Sequence, residues 1–344
     1  MAKCAAIPAY CDHNLRIFCL TCPDEPAIMS ATMETPTVQS QPPRIVGAGI
    51  CCLDHIVVAA TIPWGDTAQV REYCVQGGGL VATALVACAR LGAQTELLSM
   101  LGGDAIADQI LDGLEDEHVS AVHVSRHPGG ASPFSFIHVD EKTGERTIFH
   151  RRAAGLEWRG ADRDIIARAQ VVLVDDYYPE LVRDVTRAAR ECGVPTVADT
   201  TPTAANADWI RNVDVLIAPR HYLRAGGFGD DADKALDAIH AMGPTTAVIT
   251  LGADGWAASD ANGRYRGTAF AVNVADTVGA GDVFHGAYAF GMAKGWTTPR
   301  CAEFASAVAA IKCTRVGGRT GIPTLSQALE FLRAHSPNGW ANVG

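Results

Sequence analysis

Residues 276–282 read D-T-V-G-A-G-D, and an amphipathic run, residues 283–294, follows without a break. Gly279, Ala280 and Gly281 are small enough to leave their backbone N–H groups bare at a helix start. Unpaired donors and the positive end of the helix dipole favour an anion there, such as a transferring phosphoryl group. Asp282 then falls on the first turn, a carboxylate beside an oxyanion cradle. Such a pair can accept a proton from a hydroxyl nucleophile while stabilising developing negative charge. Simple helix capping by Asp276 and Asp282 would use the same letters. The surroundings favour the anion site: Phe270, Val272 and Val274 read as a strand before the loop, Val283, Phe284, Ala287 and Phe290 line the helix, and Gly295 ends it.

The rest of the chain supplies elements that could position this turn. Residues 44–53 form a continuous apolar run, expected to be a strand buried on both faces, with Asp54 at its end where open α/β sheets place ligands. Residues 77–92 read as a glycine turn and a helix, with Leu80, Ala84, Leu85, Cys88 and Leu91 on the apolar side. Strands at 96–100, 171–174, 196–198, 215–217 and 247–251 alternate with helices near 106–117, 181–192 and 233–242. That rhythm predicts an α/β fold with a mostly parallel sheet covered on both faces. Residues 55–76 and 134–150 break it as extended stretches, and Thr143-Gly144 reads as a hairpin turn between 136–140 and 147–150.

Of the 344 residues, 48% are hydrophobic and 19% charged, which describes a globular chain with a sizeable core. A net charge of −10 argues against nucleic acid or an anionic membrane as partner. No apolar run reaches the roughly 18 residues of a membrane span. Several of the eleven cysteines (Cys51, Cys52, Cys88, Cys313) sit in apolar segments, so a reducing cytoplasm without a disulfide framework is expected. Residues 1–43 stand apart as a poorly ordered N-terminal extension holding Cys4, Cys11, His13, Cys19 and Cys22. Cys19-x-x-Cys22 is half of a zinc pattern, Asp12, His13 and Arg16 interrupt any signal peptide, and Met29 and Met33 are alternative starts.

D-T-V-G-A-G-D-V-F-H-G resembles the C-terminal signature of the ribokinase-like, or PfkB, carbohydrate kinases, and residues 77–92, G-G-G-L-V-A-T-A-L-V-A-C-A-R-L-G, resemble its N-terminal signature. The resemblance spans about residues 44–332, implying a kinase domain over 44–335 and a tail over 336–344. It implies a three-layer fold whose irregular segments, 55–76 and 134–150, form a small β-sheet lid, through which some members dimerise. It also implies a site: Asp282 as base, Gly279, Ala280 and Gly281 as anion hole, and Asp54, Gly78, Gly79 and Thr83 at the sugar, with Thr83 where members often carry Asn. Residues 250–255, T-L-G-A-D-G, resemble the nucleotide turn, assigning Thr250, Gly252, Gly255, Thr277 and Gly281 to ATP. Mg²⁺ is implied with ATP, but residues 219–223, P-R-H-Y-L, lack the N-x-x-E that organises water around it in many members, leaving Asp199 as a candidate contact. Residues 312–323, K-C-T-R-V-G-G-R-T-G-I-P, suggest a loop near the nucleotide with Arg315 and Arg319, where members bind a monovalent cation such as K⁺. Together with D-V-F-H-G, this segment is most similar to a branch that includes sulfofructose kinases; Arg71, Arg146, Arg151 and Arg152 are the cations available to an anionic sugar. The expected activity is ATP-dependent phosphorylation of a ketose or furanose, fructose or sulfofructose among them. A nucleoside kinase and a nonenzymatic sugar or nucleotide sensor stay open.

Overall fold

The protein is described by a computed structural model covering residues 41–340. The expectations for Cys4, Cys11, His13, Cys19, Cys22 and the alternative starts lie outside the described residues. Thirteen strands are assigned: β1 Arg44–Ala48, β2 Cys52–Ala59, β3 Glu72–Gly78, β4 Gln94–Gly102, β5 Val119–His127, β6 Phe134–Asp140, β7 Arg146–Arg151, β8 Val171–Asp175, β9 Thr196–Asp199, β10 Val215–Pro219, β11 Thr246–Thr250, β12 Trp256–Asp260 and β13 Gly263–Gly267. Nine of them form one sheet in the order β13-β12-β11-β10-β9-β8-β1-β4-β5. It is parallel from β11 to β5, with β12 and β13 added antiparallel at one edge.

Burial on both faces explains the apolar runs. Along β8, Val171 and Leu173 enter the core under helices Leu80–Arg90, Ala280–Ala293 and Thr298–Lys312, whereas Val172 and Val174 enter the core under Pro179–Cys192 and Ala232–Ala241. The Ala280–Ala293 helix is not amphipathic as expected: every residue from Val283 to Gly291 is buried. A helix packed on all sides needs no polar stripe. Trp340, in the stretch set apart as a tail, is buried and donates from Nε1 to Glu303 Oε2 at 3.0 Å.

The run at 44–53 is two strands rather than one, because Asp175 intervenes. Its fully buried carboxylate accepts from Ile50 N–H (2.8 Å) and Tyr177 N–H (3.0 Å), and it sits where a side chain on Gly49 would lie. β1 therefore stops and the chain leaves the sheet as β2. Asp54 is consequently the third residue of β2, not the end of a core strand.

β2 belongs to a second sheet, β3-β2-β6-β7. Its inner face places Ile56, Val58, Ile137 and Val139 against Val278, so this small sheet lies over the turn at 276–282. The β6–β7 hairpin forms as its turn residues suggest. Residues 270–274, expected as a strand, lie outside both sheets: Phe270 packs its ring on Phe331 (5.4 Å), and β13 ends the large sheet. Each cysteine among the described residues is a free thiol.

Removing the Asp175 carboxylate leaves two buried N–H groups without acceptors, at roughly 1–3 kcal/mol each. Asp175→Ala should therefore lower unfolding free energy by about 2–5 kcal/mol in a urea titration; an unchanged midpoint and slope would refute this role for the break.

Candidate active site

The turn at 276–282 is held by its first residue. Asp276 is fully buried, and its carboxylate accepts from Val278 N–H and from Gly317 N–H, both at 2.8 Å. The N–H groups of Ala275 and Asp276 both donate to the Cys313 carbonyl, at 2.8 and 3.2 Å. These bonds replace the ladder that a strand at 270–274 would have used. Gly279 then takes φ of 74° with Gly318 O pressed where a Cβ would be (2.9 Å), which excludes other residues on both counts. Ala280 N–H is bonded to Thr277 O (3.2 Å) and Val283 N–H to Gly279 O (2.9 Å). The N–H groups of Gly279, Gly281 and Asp282 are thus the open donors at this helix start.

Asp282 lies on the first turn of the Ala280–Ala293 helix and opens partly to the cleft. Enclosure pushes its carboxyl up to about 7; the Asp199 charge adds to this and His285 opposes it. One turn on, His285 is buried, with Nδ1 2.6 Å from Gly281 O and 3.2 Å from Asp199 Oδ2, and Nε2 3.2 Å from Ile217 O. Burial lowers the His285 pKa and raises that of Asp199 well above the carboxylate range, with Asp175 and Asp176 adding to the latter. His285 was not singled out in the sequence, although its i+3 spacing from Asp282 puts the two on one helix face.

On the facing side, Asp54 is buried with Oδ1 3.3 Å from Cys52 Sγ. Burial raises its pKa, while Cys52, Ser135, Arg319 and His150 hold it down. Gly78 has no room for a side chain, because the Asp54 carboxylate fills the space a Cβ would take. Behind this turn lies Arg319, donating to Gly78 O (3.0 Å) and toward Thr83 Oγ1 (3.4 Å). Arg319 thus supports the Gly78–Gly79 turn. From the lid, His150 links Ser135 (Nδ1 to Oγ, 3.3 Å) with Tyr177 (Nε2 to OH, 3.1 Å), a bridge the sequence did not reveal.

Thr250 ends β11, and a short 3₁₀ turn, Gly252–Asp254, leads to Gly255. Register pairs Thr250 with Pro219 on β10, and Ile217 on the same strand touches His285, so this turn and the helix start share one end of the sheet. Arg220, at a position of the absent N-x-x-E, pairs with Asp254 instead. Arg146 reaches down from β7 to donate to Thr277 Oγ1 at 3.1 Å, tying the lid to the turn. Asp54 and Arg146 both act on the charge of Asp282, so groups from β2, β7 and the helix start lie near one another. Among the described residues no trio of His, Cys, Asp or Glu is gathered to hold a metal ion, and Asp199 faces His285.

Residues 43–325 match the family model described as pfkB family carbohydrate kinase. The chain belongs to that family. It is 27% identical to a ribokinase of Haemophilus influenzae over 81% of this chain and 95% of the relative, and 24% identical to a 5-dehydro-2-deoxygluconokinase of Geobacillus kaustophilus over 87% and 96%. The fold matches an Arabidopsis thaliana ribokinase solved with ribose and ATP (TM-score 0.75, 23% identity, 85% and 99% covered). It also matches a nucleoside kinase of Methanocaldococcus jannaschii (TM-score 0.69, 19% identity, 86% and 99% covered). A ribokinase-like fold is therefore shown, with its small separate sheet.

In this pfkB family chain, Gly78→Ala should push the Asp54 carboxylate aside and raise KM for the sugar about tenfold or more, leaving KM for the nucleotide within about twofold, each decade being about 1.4 kcal/mol. Equal effects on both constants would show that Asp54 does not stand on the sugar side.

Proposed function

We propose that the chain transfers the γ-phosphoryl group of ATP to a hydroxyl of a monosaccharide, a ketose or furanose. The observation that carries this reading is the convergence of Asp282 and the open Gly279 and Gly281 N–H groups at one helix start, facing Asp54 under a lid. The sugar lies against Asp54, the Gly78–Gly79 turn and Thr83, which orient its hydroxyls. Asp282 takes the proton of the attacking hydroxyl as the phosphoryl bond forms, and the two N–H groups receive the developing negative charge. ATP enters along the turn with Thr250, Gly252 and Gly255, and Thr277 meets its phosphates. Among the described residues no donors form a cage for a resident metal; Mg²⁺ would come with ATP, held by phosphate oxygens and water, and no step above runs through it.

Of the arginines available to an anionic sugar, Arg71 pairs with Glu72, Arg151 covers the Phe134 ring (5.1 Å), Arg152 covers Tyr177 (4.7 Å), and Arg146 donates to Thr277 Oγ1 (3.1 Å). The outer lid face exposes Tyr73, Val75, Phe136 and Phe149, an apolar patch that supports a homodimer built lid to lid. Sedimentation of the wild type and Phe136→Glu tests this: the wild type should run as a dimer and the variant as a monomer.

An ADP-release panel of neutral, phosphorylated and sulfonated ketoses, aldoses and nucleosides decides the substrate class, with a ketose or furanose expected to show the highest kcat/KM. If no acceptor releases ADP above background while one still raises the melting temperature, the chain is a sensor. Asp282→Asn should cut turnover by ~10²–10⁴-fold while ATP still binds. Because a base works only when deprotonated, kcat should fall as pH drops through about 7 and stay level above it. A fall beginning only near pH 4 would mean that Asp282 is not held in the environment described.

A further inference from the structure

The loop that follows the Thr298–Lys312 helix contains a charge the reaction scheme does not use. Lys312 is the last residue of that helix and is fully buried, an unusual place for an ammonium. Its Nζ donates to the backbone carbonyl of Asp276 at 3.1 Å, and Asp276 is the residue whose carboxylate clamps Val278 and Gly317. The next residue, Cys313, turns its carbonyl to the N–H groups of Ala275 and Asp276. One buried lysine therefore sits where the turn at 276–282 and the loop at 312–323 meet.

The fold family implies a monovalent metal cation near this loop, and the donor set can be tested against it. A K⁺ ion would need several oxygens free to turn toward it. Here both Asp276 carboxylate oxygens accept backbone N–H groups, its carbonyl accepts from Lys312, and the Cys313 carbonyl is taken twice. These oxygens do not fit an added ion, and the positive charge they would attract is already present.

We infer that Lys312 is the chain's own monovalent cation: its ammonium holds the turn at 276–282 against the loop at 312–323, so that no added K⁺ is needed to form the anion-binding turn. Asp276 and Asp282 favour its charged form, and Arg146, approaching from the lid, opposes it; burial lowers its pKa from the ordinary lysine value. Lys312 touches neither substrate nor the transferring group. It is a positioning residue, and its effect reaches the reaction through Asp276 and the Gly279–Gly281 backbone.

The inference rests on the kinase reading for its activity arm but not for its stability arm. Wild-type protein is assayed and melted in equal concentrations of KCl, NaCl and tetramethylammonium chloride. Both kcat and melting temperature should be the same in all three; activation by K⁺ of tenfold or a K⁺-specific rise in melting temperature would overturn the inference. Lys312→Met, close in length but uncharged, should lose about tenfold or more in kcat in tetramethylammonium chloride, and regain much of it with NH₄⁺ or K⁺ but not with tetramethylammonium, about 1.4 kcal/mol per decade. Lys312→Arg keeps the charge and serves if the methionine variant is unstable: it should remain indifferent to K⁺, and K⁺ activation of this variant would contradict the charge-based role. If no sugar is turned over, the melting comparison still decides, since cation-specific stabilisation of the wild type would refute the internal cation whatever the reaction.

Discussion

The Asp276 carboxylate is the interaction on which the site depends. Its two oxygens are divided between a donor two residues ahead, Val278 N–H, and a donor 41 positions away, Gly317 N–H. The first bond shapes the turn, and the second fixes it to a loop from another helix. Gly279 can then rest against Gly318 with positive φ, and the helix begins with its donors exposed at the cleft. An unpaired buried carboxylate would cost far more than this arrangement does, because both oxygens are satisfied by backbone that itself needs acceptors. The same bonds explain why residues 270–274 leave the sheet: their neighbours at 275 and 276 are drawn to Cys313.

A second constraint concerns the sign of the charge beneath the cleft. Asp175, Asp176, Asp199 and Asp282 gather at the ends of β8 and β9 and the start of the central helix. An ATP phosphate would be repelled by four carboxylates. The structure relieves this in separate ways. Asp175 is engaged by backbone N–H groups, and Asp176 accepts from Thr200 (2.6 Å). Asp199 lies 3.2 Å from His285 Nδ1. Asp282 is left as the carboxylate that opens to the cleft, which suits it to take up a proton.

Much of this was legible in the sequence, for identifiable reasons. Two-faced burial of a parallel sheet writes itself as continuous apolar runs, so β4, β8, β10 and β11 were placed closely, and Thr143-Gly144 announced the lid hairpin. The D-T-V-G-A-G-D turn was readable because glycine and aspartate are needed there for local reasons. Misplaced elements depended on distant partners. A ten-residue apolar run looks like one strand until Asp175, some 125 positions later, supplies the acceptor that breaks it. β5 carries mixed burial and no clean period, while β12 is buried along nearly its whole length and β13, at the sheet edge, is a short glycine- and arginine-rich strand. Arg319 could not be placed behind Gly78 from spacing alone, since only the fold brings the two together.

The two halves of the site are joined by a single thread from the lid. β7 carries His150, which contacts Ser135 and Tyr177, and at its other end Arg146, which reaches Thr277 on the turn at 276–282. Along a strand, residues four apart share a face, so one strand presents both groups inward without any further device. A displacement of β7 would therefore disturb the His150 and Arg146 contacts together.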